Sequence, residues 1–327
     1  MTTGPATPGA APYPRLVGDV GGTHARFGWV QAAGAPIDRI ASYAGSDFAG
    51  FEAVLGHYLR EQGLATPPAG AVGVATPVTG DVVAMTNRDW SFSVADVGCR
   101  LGFDRFEVLN DFATLALAVP DLASNELRPV GGGQAAAGAA LALLGPGTGL
   151  GVSGLLPAAG GFVPMVGEGG HATLAAEDER EARVIALLRE RYGHASAERA
   201  LSGAGLVALC QACRRLAGEA QTPIEPAEVT ARAVAGSDPA CRDAVELFFA
   251  FLGSVAGNLA LTFGARGGVY VGGGIVPQLG DWIERSSFRD RFEAKGRYRD
   301  YLAAIPTWVI TATESPALRG ANRALDR

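Results

Sequence analysis

The sequence predicts an α/β protein of two similar domains facing each other across a cleft, and three observations carry that expectation. A length of 327 residues, 48% hydrophobic and 18% charged, supplies core for two domains and excludes disorder of the whole chain. Strand-like and helix-like patterns mix along the chain. An apolar strand, a glycine turn carrying Gly-Thr and a second apolar strand occur twice in that order: LVGDVGGTHARFGWV around Gly22-Thr23, and LALLGPGTGLGVSGL around Gly147-Thr148.

Taken in order, Met1 to Pro14 have neither a positive n-region nor an apolar h-region, so they read as a flexible extension rather than a signal peptide. The folded part begins near Arg15. Strands are expected at Arg15 to Val20 and Ala25 to Val30, a helix over Phe51 to Gln62, and further strands at Ala71 to Ala75, Val82 to Thr86 and Arg105 to Leu109. A helix follows Asp111. After Leu122 the pattern restarts with strands at Leu141 to Leu144 and Val152 to Leu155, then charged helices at Glu177 to Arg191 and Gly205 to Ala217. The uncharged stretch between Glu246 and Arg266 approaches the length of a membrane span, but Gly253, Ser254, Gly257, Asn258 and Thr262 interrupt it. It reads as a helix buried in a soluble core. A strand at Gly268 to Val271 leads into a third glycine turn, Gly272-Gly273-Gly274.

Composition excludes several chemistries. A net charge of -6 argues against nucleic-acid binding, which requires a dense basic face. Of the basic residues only Lys295 is a lysine, which removes a Walker lysine and any Schiff-base or Ser-Lys mechanism in the N-terminal half. Four cysteines (Cys99, Cys210, Cys213, Cys241) fit a reducing compartment, and Cys210 and Cys213 read as small core thiols one helical turn apart.

Three groups of residues remain that carry chemistry. A glycine turn between strands exposes backbone N–H groups with no side chains in the way, which suits an oligophosphate where no lysine is available. In Asp19-Val20-Gly21-Gly22-Thr23 that turn also has a hydroxyl able to donate to phosphate and a carboxylate able to order a hydrated magnesium ion. Asn110-Asp111, between a strand and a helix, offers a carboxylate that either caps the helix or serves a ligand. Gly167-Glu168-Gly169-Gly170-His171 sets a carboxylate and an imidazole on a loop where both can reach one small polar ligand such as a polyol. None of the turns matches G-x-G-x-x-G before a helix, so a dinucleotide site is disfavoured.

The segments DVGGTHAR, LNDF, GPGTGLG, GEGGH, SAERALSG and GGVYVGGGIVP stand in the order and approximate spacing of the bacterial glucokinases, the branch without the zinc-binding cysteine cluster of the ROK sugar kinases. The chain resembles that family from about Arg15 to its C-terminus. The resemblance implies an α/β fold of two RNase H-like (actin-like ATPase) domains with mixed sheets flanking a central cleft. It divides the chain into an extension (1–14), a small domain (15–121 with 312–327) and a large domain (122–311). A hinge is expected near Pro120 to Asn125 and again before the C-terminal segment. The implied activity is transfer of the ATP γ-phosphoryl group to the 6-hydroxyl of D-glucose, the first step of glycolysis, in a cytoplasmic homodimer that binds neither nucleic acid nor membrane.

Carried over by position, Asp111 is the implied catalytic base, and Asn110, Glu168, His171 and Glu198 are sugar ligands beside it. Gly21, Gly22 and Thr23 with Gly147, Thr148 and Gly149 are the phosphate turns, Gly273 and Gly274 the nucleoside-side turn, and Asp19 the carboxylate linked to Mg2+ through water. His24 stands where many relatives carry a short polar residue, and no loss of activity is expected from it. A kinase for another hexose, a sugar-sensing regulator and a filament-forming ATPase are the competing readings.

Overall fold

The computed structural model describes residues 9–86, 88–159, 161–312 and 315–327. The chain divides into two compact units, the first formed by Met1–Ala123, Phe162–Val166 and Ala312–Arg327, the second by Ser124–Gly161 and Gly167–Thr311.

In the first unit, strands Ile37–Ala44, His24–Val30, Arg15–Val20, Ala69–Val74 and Arg105–Asn110 lie side by side in that order. The first three pair antiparallel, and Arg15–Val20, Ala69–Val74 and Arg105–Asn110 run parallel. Strand Ala69–Val74 is buried along its whole length, as a parallel strand covered on both faces must be. Helix Phe51–Glu61 spaces Phe51, Val54, Leu55, Tyr58 and Leu59 at helical period and buries them in one cluster with Leu16, Phe27, Trp29, Val72 and Val74. Helices Asp111–Ala118 and Pro316–Ala324 pack on each other, and Pro316–Ala324 also packs on Arg15–Val20 and Ala69–Val74. Strand Ile37–Ala44 escaped the sequence reading because none of its residues is buried and it carries Arg39 at φ 50°, so it has no clean alternation.

The expected extension differs from expectation where it is described. The Ala11 N–H donates to the Leu325 carbonyl at 2.7 Å, and the fully buried Arg15 donates to the Ala11 carbonyl, the Asn322 side chain and the Asp326 carboxylate. Residues 1–8 lie outside the described residues.

The second unit repeats the arrangement. Strands Leu150–Ala158, Leu141–Pro146, Val269–Val271, Thr307–Ile310 and Leu127–Pro129 follow one another, with the first pair antiparallel and the middle three parallel. Each sheet thus has a hairpin whose first strand continues into two parallel neighbours, the structural form of the duplicated sequence device. The apolar stretch is helix Pro239–Phe263, whose most apolar 18-residue window has a mean hydropathy of 1.7 and is 72% buried. Its Phe248, Phe249, Phe251 and Leu252 fill the core. Asp238 caps it, accepting from the N–H groups of Ala240 and Cys241, and Pro239 at its first position has no N–H to leave unpaired. Cys210 on helix Gly203–Ala217 meets Cys241 rather than Cys213, Sγ to Sγ 3.6 Å, and burial pushes the Cys213 thiol up to about 11. The cysteines are free.

Candidate active site

In the first unit the register places Val20 beside Val74 and Val74 beside Asn110. The Gly21–Thr23 turn and Asn110-Asp111 therefore leave the same edge of the sheet, two strand spacings or roughly 10 Å apart. That edge, beyond the carboxyl ends of parallel strands, is where open α/β sheets bind ligands.

The turn is fixed from several sides. The Gly21 N–H donates to the His24 carbonyl at 2.9 Å, and the Gly45 N–H donates to the Thr23 carbonyl at 2.8 Å. The His24 imidazole Nδ1 lies 3.0 Å from the Thr23 hydroxyl. One residue before the end of its strand, Asp19 accepts from the Ser315 hydroxyl at 2.9 Å. Burial pushes its carboxyl up, against the opposing pull of Ser315 and Arg26.

The question of the cap is decided for Asn110. Its Oδ1 accepts from the N–H groups of Phe112 (2.9 Å) and Ala113 (3.3 Å), and its Nδ2 donates to the Thr76 carbonyl at 3.3 Å. Asp111 is instead the first residue of the helix, its Oδ1 accepting from the Phe112 N–H at 2.8 Å. A carboxylate in this first turn sits at the positive end of the helix dipole.

In the second unit, three turns gather around the end of strand Leu141–Pro146. Gly147 closes its turn by donating to the Gly149 carbonyl at 2.8 Å, and its own carbonyl accepts from the Gly203 N–H at 2.9 Å. Glu198 enters from the turn Ala197–Arg199 and accepts from the Leu150 N–H through Oε2 at 3.0 Å. The Gly272 N–H donates to the Leu144 carbonyl at 2.8 Å, and Gly273 crosses the Pro146 carbonyl at φ 78°. A β-carbon on Gly273 would overlap that carbonyl, so only glycine passes there. Gly274 begins the short helix Ile275–Gln278 as its cap. Thr148 is at the tip of the first turn.

Glu168 and His171 flank a single helical turn, Gly169–His171, with the His171 N–H donating to the Glu168 carbonyl at 3.0 Å. Their side chains are 3.9 Å apart and more than half exposed. The Ala197 N–H donates to the Ala172 carbonyl at 2.9 Å, which ties this loop to the one carrying Glu198. The second unit thus brings together Gly147, Thr148, Gly149, Glu198, Gly273 and Gly274, with Glu168 and His171 on the adjoining loop. The first unit groups Asp19, Gly21, Gly22, Thr23, Asn110 and Asp111. Thr76, Arg88 and Ser315, which hold the carbonyl or carboxylate groups of the first set or accept from them, had no sequence signal, because each reaches its partner only through the fold.

The glucokinase family profile matches residues 16–327. A glucokinase of Aromatoleum aromaticum is 56% identical over 315 residues, spanning 96% of this chain and 95% of its own. One of Chromobacterium violaceum is 50% identical, spanning 94% of this chain and 88% of its own. Among solved structures, a glucokinase from an Antarctic psychrotroph superimposes with a TM-score of 0.88 at 33% identity, covering 95% of this chain and 98% of that one. With both sheets and both sets of glycine turns in place, the match over nearly the whole length is decisive: this chain belongs to the glucokinase family, hexose kinases of the actin-like ATPase fold.

Proposed function

We propose that the chain transfers the γ-phosphoryl group of Mg-ATP to the 6-hydroxyl of D-glucose, yielding glucose 6-phosphate and ADP, with Asp111 as the base. The observation that carries the reading is the position of Asp111: a carboxylate on the first turn of a helix, at the sheet edge that also bears the Gly21–Thr23 turn. Phosphoryl transfer asks for an oriented oxygen, compensated phosphate charge and exclusion of water rather than covalent chemistry from the protein. Asp111 takes the proton as the sugar oxygen bonds to phosphorus, and the bond to the ADP oxygen breaks. The backbone N–H groups of Gly22, Thr23, Thr148 and Gly149 receive the phosphates in the turn that Gly147 closes, and Gly273-Gly274 the nucleoside side.

The hydrogen bonds already made limit what each sugar ligand has left. The Asn110 oxygen is spent on the helix, so its amide is the group offered to a hydroxyl. Glu198 spends Oε2 on Leu150 and keeps Oε1. Glu168 and His171 add an acceptor and an imidazole. Glu168→Gln keeps the shape and removes a charge-assisted acceptor, so glucose affinity is expected to fall by roughly 10- to 150-fold, about 1.5 to 3 kcal/mol, with ATP affinity unchanged. Titration calorimetry with each ligand separately checks this, and equal weakening of both contradicts the assignment.

Among the described residues no three His, Cys, Asp or Glu side chains gather as a metal site. Magnesium that keeps most of its waters needs only one nearby carboxylate, and Asp19, half-buried at the root of the first turn, fits that demand. When bound, the ion neutralises charge on the phosphates.

A coupled assay of ADP release with ATP and magnesium, comparing glucose with mannose, fructose and N-acetylated hexoses, tests the substrate. Glucose is expected to give the highest kcat/KM; a higher value for another hexose reassigns it. We also assign a homodimer and a cytoplasmic setting; sedimentation of the purified chain as a monomer overturns the first.

A further inference from the structure

Arg88 is 66 residues from Gly22 in sequence, on the loop between strands Val82–Ala84 and Ser91–Ser93. Its guanidinium nevertheless donates to the Gly22 carbonyl twice, from Nη2 at 2.7 Å and from Nε at 3.1 Å. The guanidinium lies over the ring of Trp90, 4.3 Å from its centre. Its remaining nitrogen, Nη1, is enclosed against Gly45 with no hydrogen-bond partner among the described residues. A β-carbon on Gly45 would overlap that nitrogen. The ring on one side and the missing side chain on the other seat a planar fork on a single carbonyl.

A trans peptide holds its C=O and N–H on opposite sides of one plane. Drawing the Gly22 oxygen to Arg88 therefore turns the Thr23 N–H the other way. The Thr23 carbonyl is also taken, by the Gly45 N–H. With these two acceptors engaged by the protein, the turn presents donors, as an anion site requires.

We propose that Arg88 is a positioning residue for ATP: by holding the Gly22 carbonyl it keeps the Gly22–Thr23 peptide oriented to donate to a nucleotide phosphate. This rests on the assignment of the Gly21–Thr23 turn to phosphate binding. Burial lowers the guanidinium pKa, but an arginine starts so far above neutrality that it keeps its charge. The lone lysine, Lys295, belongs to the other unit and pairs there with Glu177 at 3.4 Å.

Two substitutions break the same contact from opposite sides. Arg88→Ala removes the fork. Gly45→Ala displaces it, and Gly45 has no positive φ that alanine would strain. Steady-state kinetics of the full chain should show KM for ATP raised about tenfold in each, with KM for glucose within twofold of the parent. The double variant should be no worse than either single one, because one contact cannot be lost twice. Arg88→Lys, which keeps the charge without the fork, should recover part of the loss. An ATP KM within twofold of the parent in Arg88→Ala, an equal rise in both KM values, or singles that multiply in the double variant overturns the proposal. Thr23→Val separates it from the reading beneath. If Thr23→Val raises the ATP KM and Arg88→Ala does not, the role of Arg88 alone fails; if neither does, the phosphate-turn assignment fails with it.

Discussion

Replacing Asp111 by alanine is expected to lower turnover by a factor on the order of 10² to 10⁴ while glucose still binds. That range corresponds to about 2.7 to 5.5 kcal/mol of transition-state stabilisation. The loss belongs to kcat because the proton leaves the sugar oxygen only as that oxygen attacks phosphorus. The substitution leaves the helix start intact, since its cap is Asn110, whose oxygen accepts from Phe112 and Ala113. Asp111→Asn is the companion variant, retaining shape while losing basicity, and should be nearly as slow. Single-turnover rates with a parallel measurement of glucose affinity decide the matter. Near-parental turnover in a folded Asp111→Ala would show that another group takes the proton.

The second large effect lies out of reach of any substrate. Gly320, on helix Pro316–Ala324, packs so closely on helix Asp111–Ala118 that a β-carbon would overlap the Thr114 carbonyl oxygen. Thr114 has no room to yield. Its hydroxyl donates to the Asp111 carbonyl at 2.7 Å, and that same oxygen stands 2.5 Å from where a β-carbon on Gly73 would be. The helix bearing Asp111 is thus clasped between a strand and the C-terminal helix at two glycines. Gly320→Ala must separate the two helices, and a cost of about 3 kcal/mol is expected, the upper end for overpacking a well-filled core. Because Asp111 is carried on the displaced helix, kcat should fall as well, at temperatures where the variant is still folded. Chemical denaturation followed by tryptophan fluorescence checks the first expectation and steady-state kinetics the second. A stability within 1 kcal/mol of the parent would mean that the interface accommodates a methyl group.

These cases show where reading from sequence succeeds and where it stops. The two strand-turn-strand devices were legible because glycine spacing and apolar runs are local: Arg15–Val20 has the expected bounds, and Leu141–Pro146 extends by two residues into its turn. The apolar helix was legible as core because small and polar residues interrupt its run. Strand Ile37–Ala44 was not, since an exposed edge strand carries no alternation to detect. The strand expected over Val82 to Thr86 ends at Ala84, beyond which the chain turns toward Arg88. The cap is a subtler case. An Asn and an Asp are both good caps, and only the backbone showed that Asn110 takes the role and leaves Asp111 inside the first turn.

The sequence by itself determined the two glycine-turn sheets and the lack of a lysine beside the glycine turns, because turns, periodicity and composition depend on neighbours along the chain; the roles proposed for the sugar and phosphate residues come from the resemblance to the glucokinases. Only the tertiary structure decided which partners hold those residues: Ser315 on Asp19 across 296 positions, Arg88 on Gly22 across 66, Glu198 on Leu150 across 48. Such contacts form only when distant segments are brought to one sheet edge. The energy that does so comes from burying whole faces of the strands and helices, in which no single one of these polar residues leaves a pattern.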